Sequence, residues 1–194
     1  IFFSFAFPIL AQLLEGHAGA LKQYFDRRAE FLEQEVGRIL RGTFPGSESV
    51  SNYRWREASE EFESDLIVRV DSHLLLVEAK SGAISWPALR GAPDRAKTHA
   101  RQLLLAPSKQ SLRLQRRIEQ ALEKPQLKDE LLPNLDLDIT KVRQVLRLSV
   151  TLEDFAILQS NLHLAREAGW IPKDHPLAAC ILLADLEVVV DILE

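Results

Sequence analysis

The feature that most constrains this chain is the run Leu74-Leu75-Leu76-Val77, which leads directly into Glu78-Ala79-Lys80. Alternate side chains of a strand project to opposite faces of a sheet. A run that is apolar at both parities therefore belongs to a central strand covered on both sides, not to an exposed edge. Glu78 and Lys80 share one face at the end of that strand. The preceding run, Asp65-Leu66-Ile67-Val68-Arg69-Val70, reads as its antiparallel partner, joined by a three-residue loop, Asp71-Ser72-His73. The return of the second strand towards the start of the first brings Asp65 near Glu78. Two carboxylates and an ammonium at the end of an apolar hairpin are costly unless they neutralise one another or hold a cation. A hard divalent cation such as Mg²⁺ or Mn²⁺ takes oxygen ligands, and two carboxylates with one backbone carbonyl would suffice. The neighbouring lysine would orient or help deprotonate a water for attack on a phosphodiester.

Periodicity places the other elements around this hairpin. Residues 20–41 read as a helix with Phe25, Ala29, Leu32, Val36, Ile39 and Leu40 on one face, ended by Gly42 and Pro45. A strand follows at Ser49–Arg56. After the hairpin, residues 81–93 read as a loop. Two helices come next, at 94–105 and 108–123, separated by Pro107 with Ser108 as the N-cap. Val142–Leu152 reads as a strand, Glu153–Ala168 as a helix, Leu177–Leu183 as a buried strand, and Asp185 as the cap of a final helix. The expected fold is one α/β domain over residues 1–194, with a central mixed sheet flanked by helices. Its core spans about 20–152 and a helix-strand-helix extension about 153–194. The apolar opening, Ile1 to Phe7, reaches Glu15 after 14 residues and holds Pro8. It is shorter than the roughly 20 residues of a membrane span. It reads as a buried packing segment, and no membrane association is expected.

Charge is unevenly distributed. The net charge is −4, which excludes a uniformly basic protein, yet residues 90–117 carry eight basic side chains against Asp94 alone. A basic stretch inside an acidic protein suits a local phosphate-binding surface. One cysteine, Cys180, excludes a disulfide framework and a multi-cysteine zinc site, and points to a reducing, cytoplasmic compartment. No Gly-x-x-x-x-Gly-Lys loop is present, so nucleotide hydrolysis by that route is excluded.

Asp65, twelve intervening residues and then Glu78-Ala79-Lys80 resemble the motif of the PD-(D/E)XK nuclease superfamily. The passage Leu75 to Gly82, followed by a basic loop and helix, is most similar to nuclease-related (NERD-like) domains. The superfamily's leading proline is replaced by Ser64. The resemblance covers about residues 30–120. It implies a restriction endonuclease-like core and hydrolysis of nucleic acid, DNA in preference to RNA, with Mg²⁺ or Mn²⁺ as cofactor. Asp65 and Glu78 would bind the metal and Lys80 would serve the water. Many relatives add a glutamate from the first helix, and here Glu33 lies nearer the apolar stripe than Glu35. The Gln110-Ser111-Leu112-Arg113 stretch resembles the glutamine-bearing helix of such nucleases, so Gln110 would assist the water or a phosphate oxygen, with Gln102 as its competitor. Arg113 and Arg117, on the same border of that helix, would bind phosphates. Two rival readings stand beside this one. The first is a non-catalytic nucleic-acid-binding or assembly module that keeps the fold. The second is a structural domain whose hairpin charges merely pair.

Overall fold

The computed structural model describes residues 2–154 and 162–193. Five strands form one mixed sheet in the order β1-β2-β3-β4-β5. They are β1 (Glu48–Glu57), β2 (Glu60–Val70), β3 (His73–Lys80), β4 (Gln144–Thr151) and β5 (Ala179–Leu182). The first three pair antiparallel, and β3-β4 and β4-β5 pair parallel. The strand that is apolar at both parities, β3, lies in the centre of the sheet, as its sequence requires. The protein is an α/β fold with a mixed five-stranded sheet flanked by helices.

The alternation of β3 sorts the two cores. Leu74 and Leu76 join Tyr53, Trp55, Ile67, Leu114 and Ile118 on one face. Leu75, Val77 and Ala79 join Leu32, Val36, Leu66 and Val68 on the other. The first face is covered by α5 (Ala106–Glu123) and the second by α2 (Ala18–Thr43) and the C-terminal helix α8 (Leu183–Leu193). Burying a side chain such as Leu114 or Ile118 completely contributes about 1.5–3 kcal/mol each.

Several local expectations are corrected. The β2-β3 turn has two residues, not three, because His73 pairs with Val70, and Asp71 takes the left-handed conformation (φ 50°) that the tight reversal needs. Segment 81–93 contains a short helix, α3 (Trp86–Leu89). The break at Pro107 does not occur. Instead α4 (Pro93–His99) passes through a π-helical segment, Ala100–Leu105, into α5. The Ala106 N–H bonds to the Arg101 carbonyl five residues back. That wider turn shifts the hydrogen-bond ladder where proline, lacking an N–H, follows. Ser108 is consequently no cap: it is fully buried inside α5 and its Oγ accepts the Ala178 N–H at 2.8 Å. Asp185 lies in the first turn of α8 and does not precede it.

Along α2 the buried position expected of Phe25 is taken by Arg28, while Phe25 is exposed. The Arg28 guanidinium pairs with Glu153 at 2.6 Å, donates to the Ser81 carbonyl at 2.9 Å, and lies over the Phe7 ring at 4.4 Å. Glu153 in turn accepts the Ile84 N–H at 3.0 Å. This network ties α2 and the end of β4 to the segment that leaves β3. The apolar opening forms α1 (Phe2–Leu14), and it is not wholly buried: Ile9, Leu10 and Leu13 are exposed. Among the described residues no helix is long and apolar enough to cross a membrane. The helix expected over Glu153–Ala168 lies partly outside the described residues, and its described part is α7 (Leu162–Glu167). A short helix, α6 (Lys128–Leu131), precedes β4.

Candidate active site

The hairpin register explains how the site is assembled. Leu66 pairs with Val77, so the next step beyond that pair sets Asp65 opposite Glu78. Glu78 and Lys80 follow Leu74 and Leu76 in the alternation of β3. Asp65 Oδ2 accepts the Ala79 N–H at 2.7 Å and lies 3.2 Å from Lys80 Nζ, and Lys80 Nζ lies 3.3 Å from Glu78 Oε2. One ammonium thus bridges two carboxylates. Glu78 is 0% exposed, Asp65 15% and Lys80 25%, so the lysine is the member that most faces solvent.

Burial decides the electrostatics. Loss of solvent, and then the Asp65 charge, push the Glu78 carboxyl up to about 8, and Lys80 only partly opposes this. Burial disfavours the Lys80 ammonium, but Asp65 and Glu78 outweigh it and hold the group above the usual lysine range. The Ser64 hydroxyl, buried beside Glu78, partly lowers its carboxyl, as Lys80 does. A buried carboxylate is costly unless its charge is offset, and a proton or a cation would offset it.

Glu33, on α2, is half-buried and feels this cluster. Its carboxyl is raised first by burial, then by the fields of Asp65 and Glu63. Glu35 instead pairs with Arg38 at 2.8 Å on the outer side of the helix. Glu33 is thus the helix carboxylate whose charge couples to the cluster, while Glu35 is taken up by Arg38. Even so, no group of three His, Cys, Asp or Glu side chains among the described residues is arranged to hold a metal. The donors brought together are Asp65 and Glu78.

The helix residues are placed less directly. Gln110 Nε2 donates to the Glu63 carbonyl, two residues before Asp65. Its amide is therefore anchored to β2 at the edge of the site. Gln102 is exposed in the π-helical segment. Arg113 lies over the Phe62 ring at 4.0 Å with Nε 3.3 Å from Glu57. Arg117 Nε donates to the Leu131 carbonyl at 2.8 Å. Both arginines share the border expected of them, and both are engaged by the protein itself. Sequence reading missed the Arg28–Glu153 pair. The signal was present as a charged residue at a stripe position, which amphipathic counting discards.

No family model matches this chain, and no curated protein matches it. Among solved structures, protein VC1899 from Vibrio cholerae aligns with 84% of this chain at 16% identity and a TM-score of 0.36. The chain spans about a third of that protein's length, with 31% covered. A likeness at this level carries no argument about fold or activity.

Proposed function

We propose that this chain is a metal-dependent nuclease that hydrolyses phosphodiester bonds of nucleic acid, with DNA as the preferred substrate. The observation that carries this reading is the meeting of Asp65, Glu78 and Lys80 at the end of the central strand. Asp65 and Glu78 fit a hard cation chemically: both offer oxygen, and Glu78 is fully buried, where a bound cation would offset its charge. Mg²⁺ or Mn²⁺, when bound there, supplies positive charge to a phosphate that turns more anionic as it reacts. The protein's own part is positional. Asp65 is fixed by the Ala79 N–H, Glu78 by burial, and Lys80 holds its proton between them, a cation ready to orient a water or phosphate oxygen. Gln110 is anchored at Glu63, where it stiffens the approach to Asp65.

A second reading, a nucleic-acid-binding module without catalysis, is favoured by one observation. Lys80 already pairs with both carboxylates, so the trio is neutralised in part without a metal. Incubating the chain with circular and linear DNA and with RNA, in Mg²⁺, Mn²⁺ or EDTA, separates the two. The nuclease reading requires DNA cleavage that depends on the cation. Retention of DNA with no cleavage in either cation would favour the binding module.

A further inference from the structure

Two surface grooves meet along the outer side of α5. One, of about 400 Å³, is lined by Lys109, Arg113, Arg116, Arg117 and His175, with Glu57 as its acidic residue. The other, of about 610 Å³, is lined by Arg101, Lys109, Arg166, Lys173 and Trp170, with Glu167 as its acidic residue. Lys109 belongs to both, so the two form one cationic surface. Five of its cations come from the 90–117 segment, and Arg166, Lys173 and His175 come from beyond 160, a part of the chain whose net charge is acidic.

The second half is fastened to the first. Ser108 Oγ lies 2.9 Å from His175 Nε2, Arg147 Nη2 donates to the Pro176 carbonyl at 2.7 Å, and Arg166 Nη2 donates to the His175 carbonyl at 3.1 Å. These bonds hold residues 175–178 against α5 without using Lys109, Arg116 or Lys173. Those three are exposed and make no hydrogen bond or ion pair to a described residue. Cations also crowd the junction. Burial first, and then the fields of Arg147, Lys109, Arg166 and Arg116, keep His175 below the usual histidine range. Like charges held together by a fixed scaffold form a surface whose repulsion a bound polyanion relieves.

We propose that this paired groove is a track for the phosphate backbone of nucleic acid, with Lys109, Arg116 and Lys173 as direct phosphate contacts and the C-terminal segment supplying one wall. The inference rests on nucleic acid being the substrate. It moves the principal phosphate contacts from Arg113 and Arg117, which the protein already engages, to the unengaged cations of the same surface, Lys109 and Arg116 on α5 and Lys173 beyond it.

Binding of a fluorescein-labelled 30-base-pair duplex, followed by anisotropy in EDTA between 50 and 200 mM salt, tests the track apart from cleavage. The variant Lys109→Gln/Arg116→Gln/Lys173→Gln should bind at least tenfold more weakly at 50 mM salt. Its log–log salt slope should shrink by roughly 2.7, about 0.9 for each lost phosphate contact. Lys109→Arg/Lys173→Arg should bind as the unaltered chain does. A control of equal charge change outside the groove, Arg27→Gln/Lys124→Gln/Lys141→Gln, should leave the slope in place. An unchanged slope in the groove variant, an equal loss in the control, or no duplex binding by the unaltered chain at 50 mM salt would each overturn the track. Failure of the nuclease reading has a different signature: duplex binding that follows the groove, without cleavage in Mg²⁺ or Mn²⁺.

Discussion

Lys80 sits between two carboxylates of unequal burial, so each member of the trio carries a separable prediction. Asp65→Asn keeps an oxygen for the Ala79 N–H and removes one charge. It should leave the fold intact and weaken Mn²⁺ binding on the order of tenfold or more, because hard-cation affinity follows ligand charge. Isothermal titration of Mn²⁺ into both forms checks this. Glu78 predicts a pH effect. Its carboxyl is raised from 4.5 to about 8 in the folded chain, so the native state holds a proton that the unfolded chain releases. Its contribution to stability is fully present below about pH 4.5 and is lost as pH rises through 8. Melting temperature without metal, compared between the chain and Glu78→Gln, should show a fall from pH 5 to 8 that the variant lacks. Divalent cation should restore the upper end, since it binds the charged form.

This part of the site was legible in the sequence because a strand has a period of two. Glu78 and Lys80 had to share a face, and the hairpin return brings Asp65 back to that end of β3. It is the two-residue turn, not the three-residue loop expected, that sets Asp65 opposite Glu78. The anchoring of Gln110 to the Glu63 carbonyl was not legible. It depends on the rotation of α5 over the sheet, which helical periodicity leaves free within the width of its apolar stripe.

At the scale of elements, breaker logic failed where the helix had another way to pay for a proline. The π-helical turn at Ala100–Leu105 lets α4 run into α5, and nothing in the residue types around Pro107 announces it. The same logic counted His73 as loop, whereas it begins β3 by pairing with Val70. The Arg28–Glu153 pair ties α2 to the end of β4. It is buried, and it also holds the Ser81 carbonyl and the Ile84 N–H beside the end of β3. Arg28→Met should cost about 3–5 kcal/mol, because Glu153 is left buried without its partner. Adding Glu153→Leu should recover part of that loss. Urea unfolding of the single and double variants measures both. In the core, Ile118→Ala should cost about 2–5 kcal/mol by opening a cavity under α5.

For the whole molecule, the order of helices and strands and the position of β3 follow from hydrophobic patterning, and charge segregation along the chain pointed to α5. What segregation could not show is that an acidic C-terminal segment folds Arg166 and Lys173 onto the same surface. Linear charge counting is blind to that. The fold thus sets a partly neutralised carboxylate–lysine trio at the end of a central strand and a cationic face on α5. The most direct measurement of the central claim is cleavage of supercoiled plasmid in Mn²⁺ by the unaltered chain and by Lys80→Ala, purified in parallel. Lys80→Ala removes the cation that the proposed mechanism assigns to the water, so cleavage should fall by about 10²-fold or more in the folded variant while duplex affinity changes little. Equal cleavage by the two proteins would contradict the assignment of Asp65, Glu78 and Lys80 as the active site.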